Sequence, residues 1–158
     1  MPIARPTRLL IADDHAPFAA LVEALLAEET SIQVVGVARD GAEAVDLAAT
    51  LEPDVVLLDI DMPRLDGFQA AERIRERNPT IRVVIVTGQP APENGDRARD
   101  LGASGYVLKT DVPSELVRAI HSPAAAEPAE AVGILSRWRW QLSRSGTSSF
   151  PSRLWCSS

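Results

Sequence analysis

Between residues 8 and 108 five short apolar runs recur, separated by stretches of helical period, and that alternation limits the chain to very few folds. Arg8-Leu-Leu-Ile-Ala12, Ile32 to Val37, Val55-Val-Leu-Leu58, Ile81 to Val86 and Tyr106-Val-Leu108 are each too short to be helices of ordinary length. The third is apolar on both faces, as a strand covered on both sides must be. Between the runs, Phe18, Leu21, Val22, Leu25 and Leu26 fall at helical spacing, as do Ala44, Val45, Ala48 and Leu51, and then Leu65, Phe68, Ala71 and Ile74. A weaker helix is expected over Asp96 to Leu101, kept short or mobile by Pro90, Pro92 and Gly95, and a last one over Pro113 to Ile120. Strands alternating with helices imply βαβ crossovers and hence an α/β, doubly wound, five-stranded parallel sheet with helices on both faces.

In such sheets the chemistry sits beyond the carboxyl ends of the strands. Those ends carry Asp13 and Asp14 after the first strand, Asp59 after the third, Thr87 after the fourth and Lys109 after the fifth. A lone aspartate there is commonly a turn or cap residue. Five polar residues at four strand ends are another matter. Carboxylates brought to within 4 Å repel by about 4 kcal/mol per pair at an effective dielectric of 20, so the cluster calls for a cation. All-oxygen ligands favour a hard ion such as Mg²⁺. Lys109 is the only lysine of the chain, every other basic side chain being arginine, which suggests a need for a compact ammonium. Acidic pocket, hard cation, lysine and hydroxyl together suit phosphoryl chemistry.

Bulk properties narrow the setting. Residues 1 to 120 carry a balance of −8 and the remainder +2, giving the overall −6, so an acidic body is set against nucleic-acid binding. No apolar run is long enough to span a bilayer, no secretory leader is legible, and the single Cys156 cannot make an internal disulfide, which together lead to the expectation of a cytoplasmic protein.

Ile11-Ala-Asp-Asp-His15, Pro53-Asp-Val-Val-Leu-Leu-Asp-Ile-Asp-Met-Pro63, Asp66-Gly67, Val86-Thr-Gly88 and Gly102-Ala-Ser-Gly-Tyr-Val-Leu-Lys109 are similar, as a set, to the receiver domain of two-component response regulators. The resemblance is to CheY-like receivers, most of all the NarL/FixJ branch that feeds LuxR-type DNA-binding regulators, and it runs from about Arg8 to Ile120. It implies a flavodoxin-like strand order 2-1-3-4-5 and a phosphorylation switch. Asp59 would take a phosphoryl group from a sensor histidine kinase. Asp14 and Asp59 would ligate Mg²⁺, with Asp13 acting through water and the backbone carbonyl of Asp61 completing the set. Lys109 and Thr87 would bind the acyl phosphate, and Gly88 would leave room for the donor. Thr87 and Tyr106 would switch the surface of helix four, strand five and helix five, and so control a downstream partner.

The resemblance leaves homodimerisation through the last strand and helix open, and it involves no membrane. His15 reads as a helix-entry residue, the Asp61 side chain either as a tuner of phosphate lifetime or as solvated loop charge, and Met62-Pro63 with Asp66-Gly67 as loop-shaping. Thr110 replaces the proline many receivers carry after the lysine, a NarL-like departure.

Residues 1–121 are therefore expected to form the receiver domain. Residues 122–158 read as a linker, Pro123-Ala-Ala-Ala-Glu-Pro128, and a disordered, truncated or out-of-frame end, with a docking segment as the competing reading. No helix-turn-helix output domain is recognisable there, so direct DNA binding is not expected, although Arg137-Trp-Arg-Trp140 interleaves charge and aromatics. Two alternatives compete with the switch. One is a haloacid-dehalogenase-like small phosphatase, since Asp59-Ile60-Asp61 resembles that family's Asp-x-Asp pair, although the acidic pair after the lysine and room for a cap are missing. The other is the remnant of a DNA-binding transcriptional regulator. The chain is expected to act on no outside substrate beyond its own phosphorylation and dephosphorylation.

Overall fold

A computed structural model describes residues 4–122. The linker and tail readings lie outside the described residues, apart from Ser122. Five strands, β1 (Thr7–Ala12), β2 (Ile32–Ala38), β3 (Val55–Asp59), β4 (Arg82–Thr87) and β5 (Gly105–Leu108), form one parallel sheet in the order β2-β1-β3-β4-β5. Helices α1 (Ala16–Leu26), α2 (Gly41–Leu51), α3 (Gly67–Arg77), α4 (Pro92–Leu101) and α5 (Val112–His121) fill the crossovers, with a 3₁₀ turn over Lys109–Asp111 leading into α5. The expected fold and strand order are both found.

The sheet's middle explains its cohesion. Leu9, Ile11, Val55, Leu57, Val84 and Val86 point into one apolar layer with Phe18, Val22, Leu116 and Ile120 from α1 and α5. All five residues of β3 are buried, including Asp59 at its carboxyl end. The strand continues apolar to the point where the chemistry begins, which fixes Asp59 against a wall that cannot shift without exposing core.

Local signals start and stop the helices. Asp66 caps α3 through a capping box, accepting from the Gln69 N–H at 2.8 Å while its own N–H donates to Gln69 Oε1 at 3.2 Å. Asp40 caps α2, accepting from the Glu43 N–H at 2.8 Å. Leu65, read as the first apolar residue of the third helix, therefore lies ahead of its cap.

Two other expectations need correction. Helix α4 runs from Pro92 rather than Asp96, because a proline in the first turn lacks only an N–H that a helix start does not use. On α1, Leu21 and Leu25 are exposed, while Phe18, Ala19, Val22 and Leu26 face the core. The helix is apolar nearly all round, so periodicity could not tell its inner row from its shoulder.

Close packing ties the loop before α3 to the site. A Cβ at Gly67 would overlap the Asp59 carbonyl oxygen, and one at Gly41 would overlap the Leu65 carbonyl oxygen. At Gly88 the nearest obstacle is Lys109 Cδ at 3.8 Å, an ordinary contact. Gly67→Ala should therefore cost about 1–3 kcal/mol of stability, as overpacking typically does, whereas Gly88→Ala should stay within about 0.5 kcal/mol. Urea unfolding of both variants checks this, and equal midpoints would refute it.

Candidate phosphoryl-acceptor site

At the carboxyl edge of the sheet, Asp13 directly follows β1 and Asp59 ends β3, both 2% exposed. Their strands are direct neighbours, with Ala12 paired to Leu58, so the two carboxylates are brought together by the sheet itself. Asp14 joins them from the exposed side: one oxygen from each of Asp13, Asp14 and Asp59 lies within 4.8 Å of the others. Lys109, entering from the end of β5, reaches across. Its Nζ stands 2.7 Å from Asp13 Oδ2 and donates to Asp59 Oδ2 at 3.2 Å.

The second oxygens are held by backbone. The His15 N–H donates to Asp13 Oδ1 at 2.8 Å, and the Asp61 N–H donates to Asp59 Oδ1 at 3.3 Å. His15 is the N-cap residue of α1, as expected of a helix-entry position. A cleft of about 530 Å³ beside Asp13 and Asp14, floored by Ala16, Ala19 and Ala20, gives solvent and ions access.

Thr87, 1% exposed, ends β4. Its hydroxyl is engaged in its own loop, donating to the Gln89 carbonyl at 3.0 Å and accepting from the Gln89 N–H at 3.1 Å. Tyr106 stands on β5 paired with Ile85, and its buried hydroxyl faces the backbone of Ala91, the N-cap position of α4. Burial, with the Glu93 charge adding to it, pushes the phenol up, and the Ala91 backbone partly opposes the shift. Lys109 and Thr110 open the 3₁₀ turn, and no cis peptide occurs among the described residues.

Sequence reasoning missed one neighbour. The Phe18 ring lies under the Lys109 ammonium, 4.5 Å from centroid to Nζ. Its helical spacing marks it only as one apolar position among several on α1.

The electrostatics follow from burial. Desolvation, then the charge of Asp13, raises the Asp59 carboxyl from 3.8 to about 6, with Lys109 and the Asp61 N–H pulling against them. Burial alone would lower the Lys109 ammonium, but Asp13 and Asp59 more than reverse it and hold it above the usual lysine range. One ammonium thus does not fully compensate two buried carboxylates. Asp13 Oδ2 is buried and accepts no hydrogen bond of good geometry, meeting the ammonium as a bare ion pair. An all-carboxylate, under-compensated cluster with one solvent-facing member fits a hard divalent cation.

A family model described as the response regulator receiver domain matches residues 9–121. The nitrate/nitrite response regulator protein NarL of Escherichia coli (strain K12) is 35% identical over 122 residues, covering 77% of this chain and 56% of NarL. A protein-glutamate methylesterase/protein-glutamine glutaminase of Symbiobacterium thermophilum is 38% identical over 136 residues, 80% of this chain and 38% of that enzyme. Among solved structures, the signal receiver domain of the response regulator NarL from Mycobacterium tuberculosis superposes with a TM-score of 0.68 at 32% identity, covering 75% of this chain and 99% of that domain.

The chain belongs to the response-regulator receiver family. It spans about half the length, or less, of these curated relatives, 56% of one and 38% of the other. The phosphatase reading of Asp59-Ile60-Asp61 gives way to this membership. No helix of the described residues is long and apolar enough to cross a membrane.

A pH dependence follows from Asp59. Its folded value of about 6 exceeds the 3.8 of an ordinary aspartate, so the native state binds more protons between those values, and stability falls as pH rises through that window. Asp59→Asn removes this loss. With chelator present, the variant should gain on the order of 1–3 kcal/mol over wild type between pH 3.5 and pH 7.5, at 1.36 kcal/mol per unit. Added Mg²⁺ should narrow the gap at pH 7.5. Thermal melts against pH read the difference; a gap independent of pH would contradict the assignment.

Proposed function

We propose that the chain is a phosphorylation-dependent signalling switch in which Asp59 accepts a phosphoryl group from a phosphohistidine of a sensor histidine kinase. The observation that carries this is the buried Asp59 carboxylate, bonded to the one lysine and pressed against Asp13 and Asp14 at the carboxyl edge of the sheet.

An Asp59 carboxylate oxygen forms the new bond to phosphorus as the bond from phosphorus to the imidazole nitrogen breaks, and the imidazole keeps the electron pair. Asp14 and Asp59 would hold Mg²⁺, with Asp13 helping through water and the Asp61 backbone carbonyl completing the set. Mg²⁺, when bound, offsets the charge of the carboxylates and of the phosphoryl oxygens. Lys109, already on Asp59 Oδ2, needs only a small movement to reach a phosphoryl oxygen. Gly88 keeps the approach open, since even a Cβ added there would have its nearest neighbour 3.8 Å away.

The output follows from the loop after β4. Bonding to the phosphoryl group would draw the Thr87 hydroxyl away from Gln89, two residues ahead of Ala91, whose backbone faces the Tyr106 hydroxyl. The loop, the start of α4 and the Tyr106 ring would then resettle together, reshaping the α4–β5–α5 surface that a downstream partner or a second copy of the chain reads. This is a shift between two populations, biased by contacts that exist in only one of them.

On this reading residues 1–121 are the switch module, the setting is cytoplasmic, and the chain transforms no outside substrate. Direct DNA contact is not assigned to it, given the balance of −8 over residues 1 to 120.

Intact mass after incubation with Mg²⁺ and acetyl phosphate tests the proposal. One added phosphoryl group is expected on the wild type, none on Asp59→Asn, and none on the wild type with chelator. An unmodified wild type would refute it.

A further inference from the structure

The Lys109 ammonium has three directions in which to be stabilised, and the structure fills all three differently. One faces Asp13 Oδ2 at 2.7 Å, one Asp59 Oδ2 at 3.2 Å, and the third the face of the Phe18 ring at 4.5 Å. Phe18 is 7% exposed and belongs to the first turn of α1. That turn is bolted to the site: His15, its N-cap, donates its N–H to Asp13 Oδ1 at 2.8 Å, and its carbonyl accepts from the Phe18 N–H at 3.0 Å. Asp13 and the Phe18 ring, both in contact with one ammonium, are therefore set by the same loop.

The three contacts differ in what movement they allow. A hydrogen bond to a carboxylate is directional and must break when the ammonium turns toward a phosphoryl oxygen. Attraction to a ring face is broad in angle and survives small displacements. With its side chain only 22% exposed, Lys109 has given up part of its water, and the ring face replaces some of it.

We propose that Phe18 is a positioning residue for the phosphoryl transfer: its ring carries the Lys109 ammonium while that group passes from the Asp59 carboxylate to the phosphoryl oxygens. This rests on the switch reading above. It adds a residue that acts through Lys109 without touching the phosphoryl group.

The test compares rates of phosphorylation by acetyl phosphate with Mg²⁺ in the full chain. Phe18→Leu and Phe18→Met keep apolar bulk and lose the ring face; Phe18→Tyr keeps it. The leucine and methionine variants should be about three- to tenfold slower, the size a cation–π contact supports, and the tyrosine variant within about twofold of wild type. Because Phe18 also packs in the core, a double-mutant cycle separates the roles. In a Lys109→Ala background, Phe18→Leu should slow the residual reaction no further, while its effect on the unfolding midpoint persists. Wild-type rates in the leucine and methionine variants would overturn the inference and leave the switch reading intact. So would a folded tyrosine variant as slow as leucine, or an undiminished effect without Lys109. A wild type that accepts no phosphoryl group would overturn both.

Discussion

Two buried carboxylates sharing one ammonium are the constraint around which this molecule is arranged. Asp13 and Asp59 sit at the ends of adjacent parallel strands, each 2% exposed, and Lys109 is the cation that spans them. Removing charge from water is costly, and a single positive charge leaves the pair under-compensated, which is why the Asp59 carboxyl stands at about 6. The rest of the fold holds that arrangement against its own repulsion. β3 is buried along its whole length, the Asp66 capping box fixes the start of α3, and Gly67 lets that start press on the Asp59 backbone.

The same tension underlies the proposed function. In the proposed switch, a site short of positive charge would gain from a hard cation, and the ammonium on Asp59 would exchange that contact for one to a phosphoryl oxygen. Readout requires a second arrangement of the surroundings. The β4–α4 loop offers one: Thr87 spends its hydroxyl on Gln89, Ala91 stands at the N-cap of α4, and the Tyr106 hydroxyl faces the Ala91 backbone from the neighbouring strand. Helix α4 itself buries little, Gly95 and Ala98 alone among its residues, so its hold on the body is light.

Much of this is legible in the sequence because the relevant signals are local and periodic. Apolar runs closing on Asp13, Asp59, Thr87 and Lys109 announce parallel strands with a polar edge, and strand order then brings those ends together. What periodicity does not resolve is direction around an apolar helix. Leu21 and Leu25 fit an inward row by spacing yet face solvent, and Phe18 fits plain core yet carries a charge on its ring. Pro92 is a breaker by propensity, but its place in a first turn makes it a starter. The pairing of Lys109 with Asp13 as well as Asp59 needs side-chain geometry, since spacing along the chain carries no information about which oxygen an ammonium meets.

The central claim is that the Asp59 carboxylate becomes an acyl phosphate, and chemical trapping reads that bond directly. Borohydride reduces an aspartyl phosphate to homoserine and leaves a free carboxylate untouched. After phosphorylation and reduction, peptide sequencing by mass spectrometry should find homoserine at position 59 and aspartate at 13, 14 and 61. Homoserine at one of those other positions, or at none, would contradict the account.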